Sequence, residues 1–400
     1  MRNTRHRRRW VQRILLAMLA AVVAILVAVG GYLGYAGIRH TRPVTLPAPT
    51  GPYRVGRAMY DWTDTARVDP LHPSTHRELS VWLWYPAARH ATGRAAAYLP
   101  GAWAGIHFSG VAGWGETSFA KVRDHALVGV PVAAGRFPIV VLEPGLGFAA
   151  PQYATIAEDI ASHGYLVAGV TPTYSANLTV LGGHVVHANA AGNPAAAGEG
   201  NEHAGEAQRA ADRLVAIWAA DARFAAARVA GVATVAGHVD TAHTAYVGHS
   251  FGGAASLSAC ADDPHCAGAA NLDGTQFGTV VRTGVDHPTL TLGSDDSCVT
   301  GTCHATSAAD RADVAVARRL FAAGTGPNLC YRISGMRHFN FSDYGAYWLA
   351  APLRALLALG SIDGNRGLAV AAGYLDAFLD HAVRGAPFTA HYPEGHQDRC

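Results

Sequence analysis

The first forty residues divide into a basic cluster, MRNTRHRRRW, and an apolar run from Ile14 to Gly37 that spans 24 residues without a charged side chain. A cleavable export signal has an apolar core of about 7 to 15 residues, whereas crossing a bilayer takes about 20. The run therefore predicts one transmembrane helix over residues 14–37. Arg2, Arg5, Arg7, Arg8, Arg9 and Arg13 precede it and Arg39 alone closely follows. The positive-inside bias then leaves the N-terminus in the cytoplasm and carries the rest of the chain across. The next stretch, TRPVTLPAPTGP (residues 41–52), has neither a helical nor a strand period and reads as a proline-rich spacer.

From Tyr53 the pattern is that of a folded domain. In RELSVWLWYP, Leu79, Val81 and Leu83 alternate with Ser80, Trp82 and Trp84, the period of a strand. RFPIVVLEPGLG predicts a short buried strand ending in a glycine turn at Gly145 to Gly147. A helix follows from Ala154 to His163, stopped at Gly164, and then the strand YLVAGV. The order repeats. A helix over 205–228 leads to the strand TAYVG, a turn at Ser250 and a helix from Gly252. Strands GAANLD and PTLTLG, a helix over 308–323, the strand LCYRIS and a helix over 368–383 complete it. Strands alternating with helices over this length predict an α/β domain with a mostly parallel sheet covered on both faces. The segment from Ala176 to Glu206, rich in Ala, Gly and His, interrupts the pattern, and reads equally as a lid or binding loop and as a disordered excursion.

Reactive groups in such sheets gather at the carboxyl ends of strands. In AYVGHSFGGAASL, Ser250 stands between Gly248 and Gly252 at a strand-to-helix junction, the form of a nucleophile elbow. Asp273 closes the strand GAANLD, and His338 follows LCYRIS in the loop SGMRHFNFSDY. Ser, Asp and His thus occur in the chain order of the α/β-hydrolase triad. A serine hydroxyl needs an imidazole to take its proton, and the imidazole needs a carboxylate to hold its tautomer. His249, in the middle of the elbow, is expected to pack rather than titrate. Asp295 and Asp296, after the following strand, compete with Asp273 for the acid role; two adjacent acids in the polar GSDDS more often face solvent. Backbone N–H groups of Leu146, in the PGLG turn, and Phe251, after the serine, are the expected oxyanion donors.

Half the residues are hydrophobic and 15% are charged, which supports a sizeable core. Beyond residue 40 the chain keeps 24 Lys and Arg against 29 Asp and Glu, a net charge of −5, and no basic stripe is present. Nucleic acid is therefore excluded as a partner. The six cysteines suit an oxidising compartment, with nearest-neighbour pairing Cys260–Cys266, Cys298–Cys303 and Cys330–Cys400. Free buried thiols are the alternative, and the cysteines lack the spacing of a zinc site.

VWLWYPA, PGLG, GHSFGG, NLDG and RHFNFSDY occur in the order and approximate spacing of the platelet-activating-factor acetylhydrolase type II family, over roughly residues 51–380. The chain resembles that family of α/β-hydrolases. The resemblance implies Ser250, Asp273 and His338 as triad and Leu146 and Phe251 as oxyanion donors. It also implies hydrolysis of carboxylic esters, commonly short or oxidised acyl chains on phospholipids, with no metal or organic cofactor. Pro144 stands where better-known members have histidine, which spares the backbone donor and bears on the pocket wall. The expected organisation is a basic tail and anchor (residues 1–40), a linker (41–52) and an α/β-hydrolase catalytic domain (53–400) outside the membrane, acting on a small-molecule or lipid ester. A polyester-type lipase, a peptidase and a catalytically silent binding module are the competing readings.

Overall fold

The structure, a computed structural model, describes residues 2–108, 110–193 and 204–400. It opens with a single helix, α1 (Arg2–Thr41), long and apolar enough to cross a membrane. The end of α1 touches the domain, where His40 Nδ1–H donates to the Glu116 carbonyl (2.7 Å) and the Ser118 N–H donates to the His40 carbonyl (2.9 Å). The proline-rich stretch after it lies along the domain surface. Val44–Thr45 pairs in parallel with Val122–Arg123, Leu46 is buried, and the Thr50 N–H donates to Asp159 Oδ1 at 2.6 Å. Residues between its prolines keep the N–H donors that make this packing possible.

The domain is built from β1 (Arg54–Val68), β2 (His76–Ala87), β3 (Phe137–Glu143), α2 (Ala154–Ser162) and β4 (Leu166–Thr171). A hairpin of β5 (Leu178–Leu181) and β6 (His184–His187) follows, then α3 (Ala204–Val229), β7 (Val239–His249) and α4 (Phe251–Ala261). The chain closes with β8 (Cys266–Leu272), β9 (Thr289–Gly293), α5 (Ala308–Ala323), β10 (Asn328–Ile333), α6 (Gly364–Arg384) and β11 (Gly395–Asp398). One eleven-stranded sheet runs in the order β11-β10-β9-β8-β7-β3-β4-β2-β1, extended by two-residue strands at Leu127–Val128 and Arg94–Ala95. The six strands from β10 to β4 are parallel, while β11, β2 and β1 join antiparallel to their inner neighbours.

Period two sorts the strand residues between two cores. Trp82, Trp84, Val140 and Leu142 pack with α2 and α6 on one face. Leu79, Val81, Leu83, Ile139 and Val141 pack with α3, α4 and α5 on the other. Trp82 and Trp84, which the alternation sets opposite the aliphatic side, are themselves fully buried. The strand is thus covered on both faces, as central strands of α/β sheets are. Fully burying each such aromatic side chain stabilises by about 1.5–3 kcal/mol or more.

All six cysteines are paired, as Cys260–Cys266, Cys298–Cys303 and Cys330–Cys400. The last bridge closes a separation of 70 residues and ties β11 to β10. The variant Cys400→Ser is expected to lower the unfolding free energy by about 2–4 kcal/mol, because the unfolded chain regains the entropy of an open loop. Chemical denaturation measures this; an unchanged midpoint would mean that the short ladder alone holds β11.

Of the interrupting segment at 176–206, the first part forms the β5–β6 hairpin, with Leu178 and Val180 buried. Residues 194–203 lie outside the described residues.

Candidate active site

The elbow follows from close backbone approach. A Cβ on Gly248 would lie 2.2 Å from the Gly252 carbonyl oxygen, and one on Gly252 would lie 2.3 Å from that of Pro144 and 2.5 Å from that of Glu143. Only glycine fits either position, which is why the serine is bracketed by two of them. Ser250 sits at φ 55° and ψ −123°, outside the comfortable regions for an L-residue, a strain on the order of 1–3 kcal/mol. Its N–H is tied to the Leu272 carbonyl at 2.8 Å, and α4 starts at the next residue. The hydroxyl is thereby held at the carboxyl end of β7, partly open to solvent.

Asp273 ends β8 with a positive φ of 59°, its N–H bonded to the Leu292 carbonyl of β9 (2.8 Å). The following Gly274 admits the Ser250 carbonyl, which a Cβ there would meet at 2.0 Å. The Asp273 carboxylate accepts three hydrogen bonds. Oδ1 takes the Ser294 N–H (2.7 Å), and Oδ2 takes the Ser294 hydroxyl (2.9 Å) and His338 Nδ1–H (2.8 Å). His338 Nε2 lies 2.9 Å from Ser250 Oγ. Ser250, His338 and Asp273 therefore form one continuous line of hydrogen bonds, with the aspartate buried and the imidazole about one-third exposed (32%).

The rival acids face elsewhere. Asp295 Oδ2 accepts the Gly335 N–H at 2.7 Å, and Asp296 Oδ2 pairs with the Arg337 guanidinium at 2.7 Å on the surface. Asp296 Oδ1 reaches the Ser294 hydroxyl at 3.3 Å, one step removed from the imidazole.

His249 is fully buried and joins the two loops that flank the serine. Its Nε2–H donates to the His338 carbonyl (2.8 Å), so Nδ1 is the acceptor and the Tyr153 hydroxyl donates to it at 2.7 Å. The Tyr153 oxygen in turn accepts the Gly145 N–H (2.9 Å). Burial, followed by the neighbouring His338, pushes the His249 pKa well below its ordinary value, so this imidazole is neutral. It packs rather than titrates, yet it fixes the glycine turn and the His338 loop against each other. Tyr153 and Ser294 carry no sequence signal, because their partners are distant in the chain or on another strand.

Leu146 lies in the Gly145–Gly147 turn, closed by the bond from Phe148 N–H to the Gly145 carbonyl (2.9 Å). Gly147 has φ 85°, a conformation for which glycine is suited. Phe251 is the first residue of α4, so its N–H has no carbonyl one turn back to bond. A cavity of about 350 Å³ adjoins the turn through Gly147 and Phe148 and is walled by Ile106, Phe108, Leu178 and Tyr344. A second space of about 260 Å³ lies beside Asp273, Ser294 and His338.

The sheet order, the elbow and the strand-end loops are those of the α/β-hydrolase fold. Residues 38–188 match the model of the family described as platelet-activating factor acetylhydrolase, isoform II. A ferulic acid esterase from Streptomyces cinnamoneus, solved at 2.4 Å resolution, superposes with a TM-score of 0.73 and 26% sequence identity over 89% of this chain and 99% of its own. No curated protein matches the chain. The matched stretch holds the VWLWYPA and PGLG motifs and ends before those of Ser250, Asp273 and His338; together with the superposition it marks the chain as an esterase-like α/β-hydrolase.

Proposed function

We propose that the protein is a serine hydrolase of carboxylic esters that works through an acyl-enzyme on Ser250. The observation that carries this reading is the 2.9 Å and 2.8 Å hydrogen-bond line from Ser250 through His338 to Asp273. His338 Nε2 accepts the Ser250 proton as Oγ attacks the ester carbonyl, while Asp273 holds the proton on Nδ1 and stabilises the imidazolium. The N–H groups of Leu146 and Phe251 receive the negative oxygen of the tetrahedral intermediate. The intermediate collapses, the Nε2 proton goes to the departing alkoxide, and an alcohol leaves. Water then repeats the sequence on the acyl-serine and releases the acid. No cofactor enters these steps.

The 350 Å³ cavity, whose aromatic and aliphatic side chains are joined by His107, Gln152, Asn177 and His187, is of a size for a compact acyl group. Assay against p-nitrophenyl esters of increasing chain length, with an amide counterpart, tests the proposal. Turnover should be highest for short acyl chains and absent for the amide; cleavage of the amide at a rate like that of the esters would make the protein a peptidase.

The apolar run at residues 14–37 is proposed as a single-pass anchor, with the tail inside, residues 41–52 as linker and residues 53–400 as the outward catalytic domain. Its support is the length of the run, the six preceding arginines and the three disulfides of the domain. Expressed in cells, the full chain should sediment with membranes and be cut by protease added from outside. Release as a shortened soluble chain would make the run a signal peptide.

A further inference from the structure

At the end of the domain where β4 begins, opposite the strand ends that carry Ser250, Asp273 and His338, three ligand-type side chains meet. Asp159 and His163 stand one helical turn apart at the end of α2, on one face, and Asp376 comes from the middle of α6. One ligand atom from each lies within 4.8 Å of the others. His163 Nε2 is 3.3 Å from Asp376 Oδ2 and 2.9 Å from the Thr50 hydroxyl, while Asp159 Oδ1 takes the Thr50 N–H. Asp159 is 4% and Asp376 9% exposed.

This group is unfinished as it stands. Asp376 Oδ1 is buried and has no hydrogen-bond partner among the described residues. The Asp376 carboxyl also lies within hydrogen-bonding reach of Asp159, a contact that two ionised carboxylates cannot make by themselves. The nearby Arg384 is committed elsewhere, to Asp380 Oδ1 (2.6 Å) and to the carbonyls of His163 and Gly164. Asp380, which also accepts the Tyr165 hydroxyl, adds a further negative charge to the surroundings. Burial first, and then the Asp159 charge, push the Asp376 pKa well above its usual range. Two carboxylates this close and this dry need a proton or a cation between them, and the His163 imidazole nitrogen 3.3 Å from Asp376 Oδ2 is a ligand that a cation would use.

We propose that Asp159, His163 and Asp376 form a structural site for one divalent cation of the zinc class. Two carboxylate oxygens and one imidazole nitrogen balance a +2 charge and leave a fourth tetrahedral position, which water or the adjacent Thr50 hydroxyl fills. Calcium wants six to eight oxygens and is poorly served by imidazole. Because Thr50 belongs to the stretch that follows α1, the ion fastens that stretch to α2 and α6. Its role is mechanical, remote from the reacting serine.

The test uses the full-length protein in detergent, stripped with a chelator and titrated with zinc by calorimetry. The wild type should bind one more ion per chain than Asp376→Asn or His163→Gln, a difference that discounts zinc held by other histidines. Zinc should raise the wild-type melting temperature by at least ~3 °C and slow cutting by proteinase K in the stretch around Thr50, with neither effect in the variants. Asp376→Asn removes one charge from a repelling pair and keeps its volume, so it folds, and ester turnover should be unaffected by the exchange. Equal zinc binding by the wild type and both variants would overturn the site. So would a stripped wild type that binds no zinc while Asp376→Asn is the more stable protein, since the two carboxyls would then simply share a proton.

Discussion

Ser250→Ala should abolish ester turnover and covalent labelling by a fluorophosphonate while leaving the fold and the melting temperature nearly unchanged. The substitution removes a single oxygen. The Cβ stays, so the backbone at φ 55° keeps the same strain, and the Ser250 N–H remains bonded to the Leu272 carbonyl. Gly248 and Gly252 still clear the Gly252 and Pro144 carbonyls, so the turn itself is not disturbed. Loss of activity is expected at the scale seen when a triad serine is removed, on the order of 10⁶ in kcat. Circular dichroism and thermal melting establish that the variant is folded. Retained turnover in that folded variant would move the nucleophile elsewhere.

Asp273→Asn should lower kcat by up to about 10⁴ with little change in stability, and the reason lies in who donates to whom. In the wild type Oδ1 accepts from the Ser294 N–H and Oδ2 from His338 Nδ1–H. An asparagine keeps its carbonyl oxygen on the Ser294 N–H, which turns its NH₂ toward His338. Nδ1 must then accept, the ring proton moves to Nε2, and the imidazole faces Ser250 with a donor where an acceptor is needed. Asp295→Asn and Asp296→Asn should cost no more than a few-fold. The first retains an oxygen for the Gly335 N–H, and the second loses an exposed ion pair with Arg337, worth about 0–1 kcal/mol. Kinetics of the three variants side by side decide the acid; loss confined to position 295 or 296 would reassign it.

The same particulars explain what was legible in the sequence. Gly248 and Gly252 are constrained by contacts within a few residues and with β3, so the elbow shows in five letters. β8 and β9 are buried on both faces and show as apolar runs ending at Asp273 and before Asp295. β1 does not show in this way. Much of it is polar and solvent-facing, and its 15 residues are held by the ladder to β2 rather than by their own pattern. β11, of sequence GHQD, has no apolar residue; its place is set by β10 and the Cys330–Cys400 bridge. The meeting of Ser250, Asp273 and His338 was legible because the first two directly follow β7 and β8 and the third lies in the loop after β10. Tyr153 was not, since its meaning depends on His249, 96 positions away. The fully buried Arg77, joined to Asp221 at 2.6 Å and Asp69 at 3.1 Å, is likewise a product of the assembled fold. Such a charge is tolerated only because all its partners arrive together.

The central claim is that an ester's acyl group passes through Ser250, and it can be seen directly. The wild-type protein is mixed with p-nitrophenyl acetate, quenched in acid during the first turnovers, digested, and its peptides are mapped by mass. The account predicts a single acetylated peptide, with the acetyl group on Ser250, increased in yield when hydrolysis is slowed, and missing from Ser250→Ala. Rapid release of p-nitrophenol with Ser250 unmodified and an acetyl group on another side chain would contradict it.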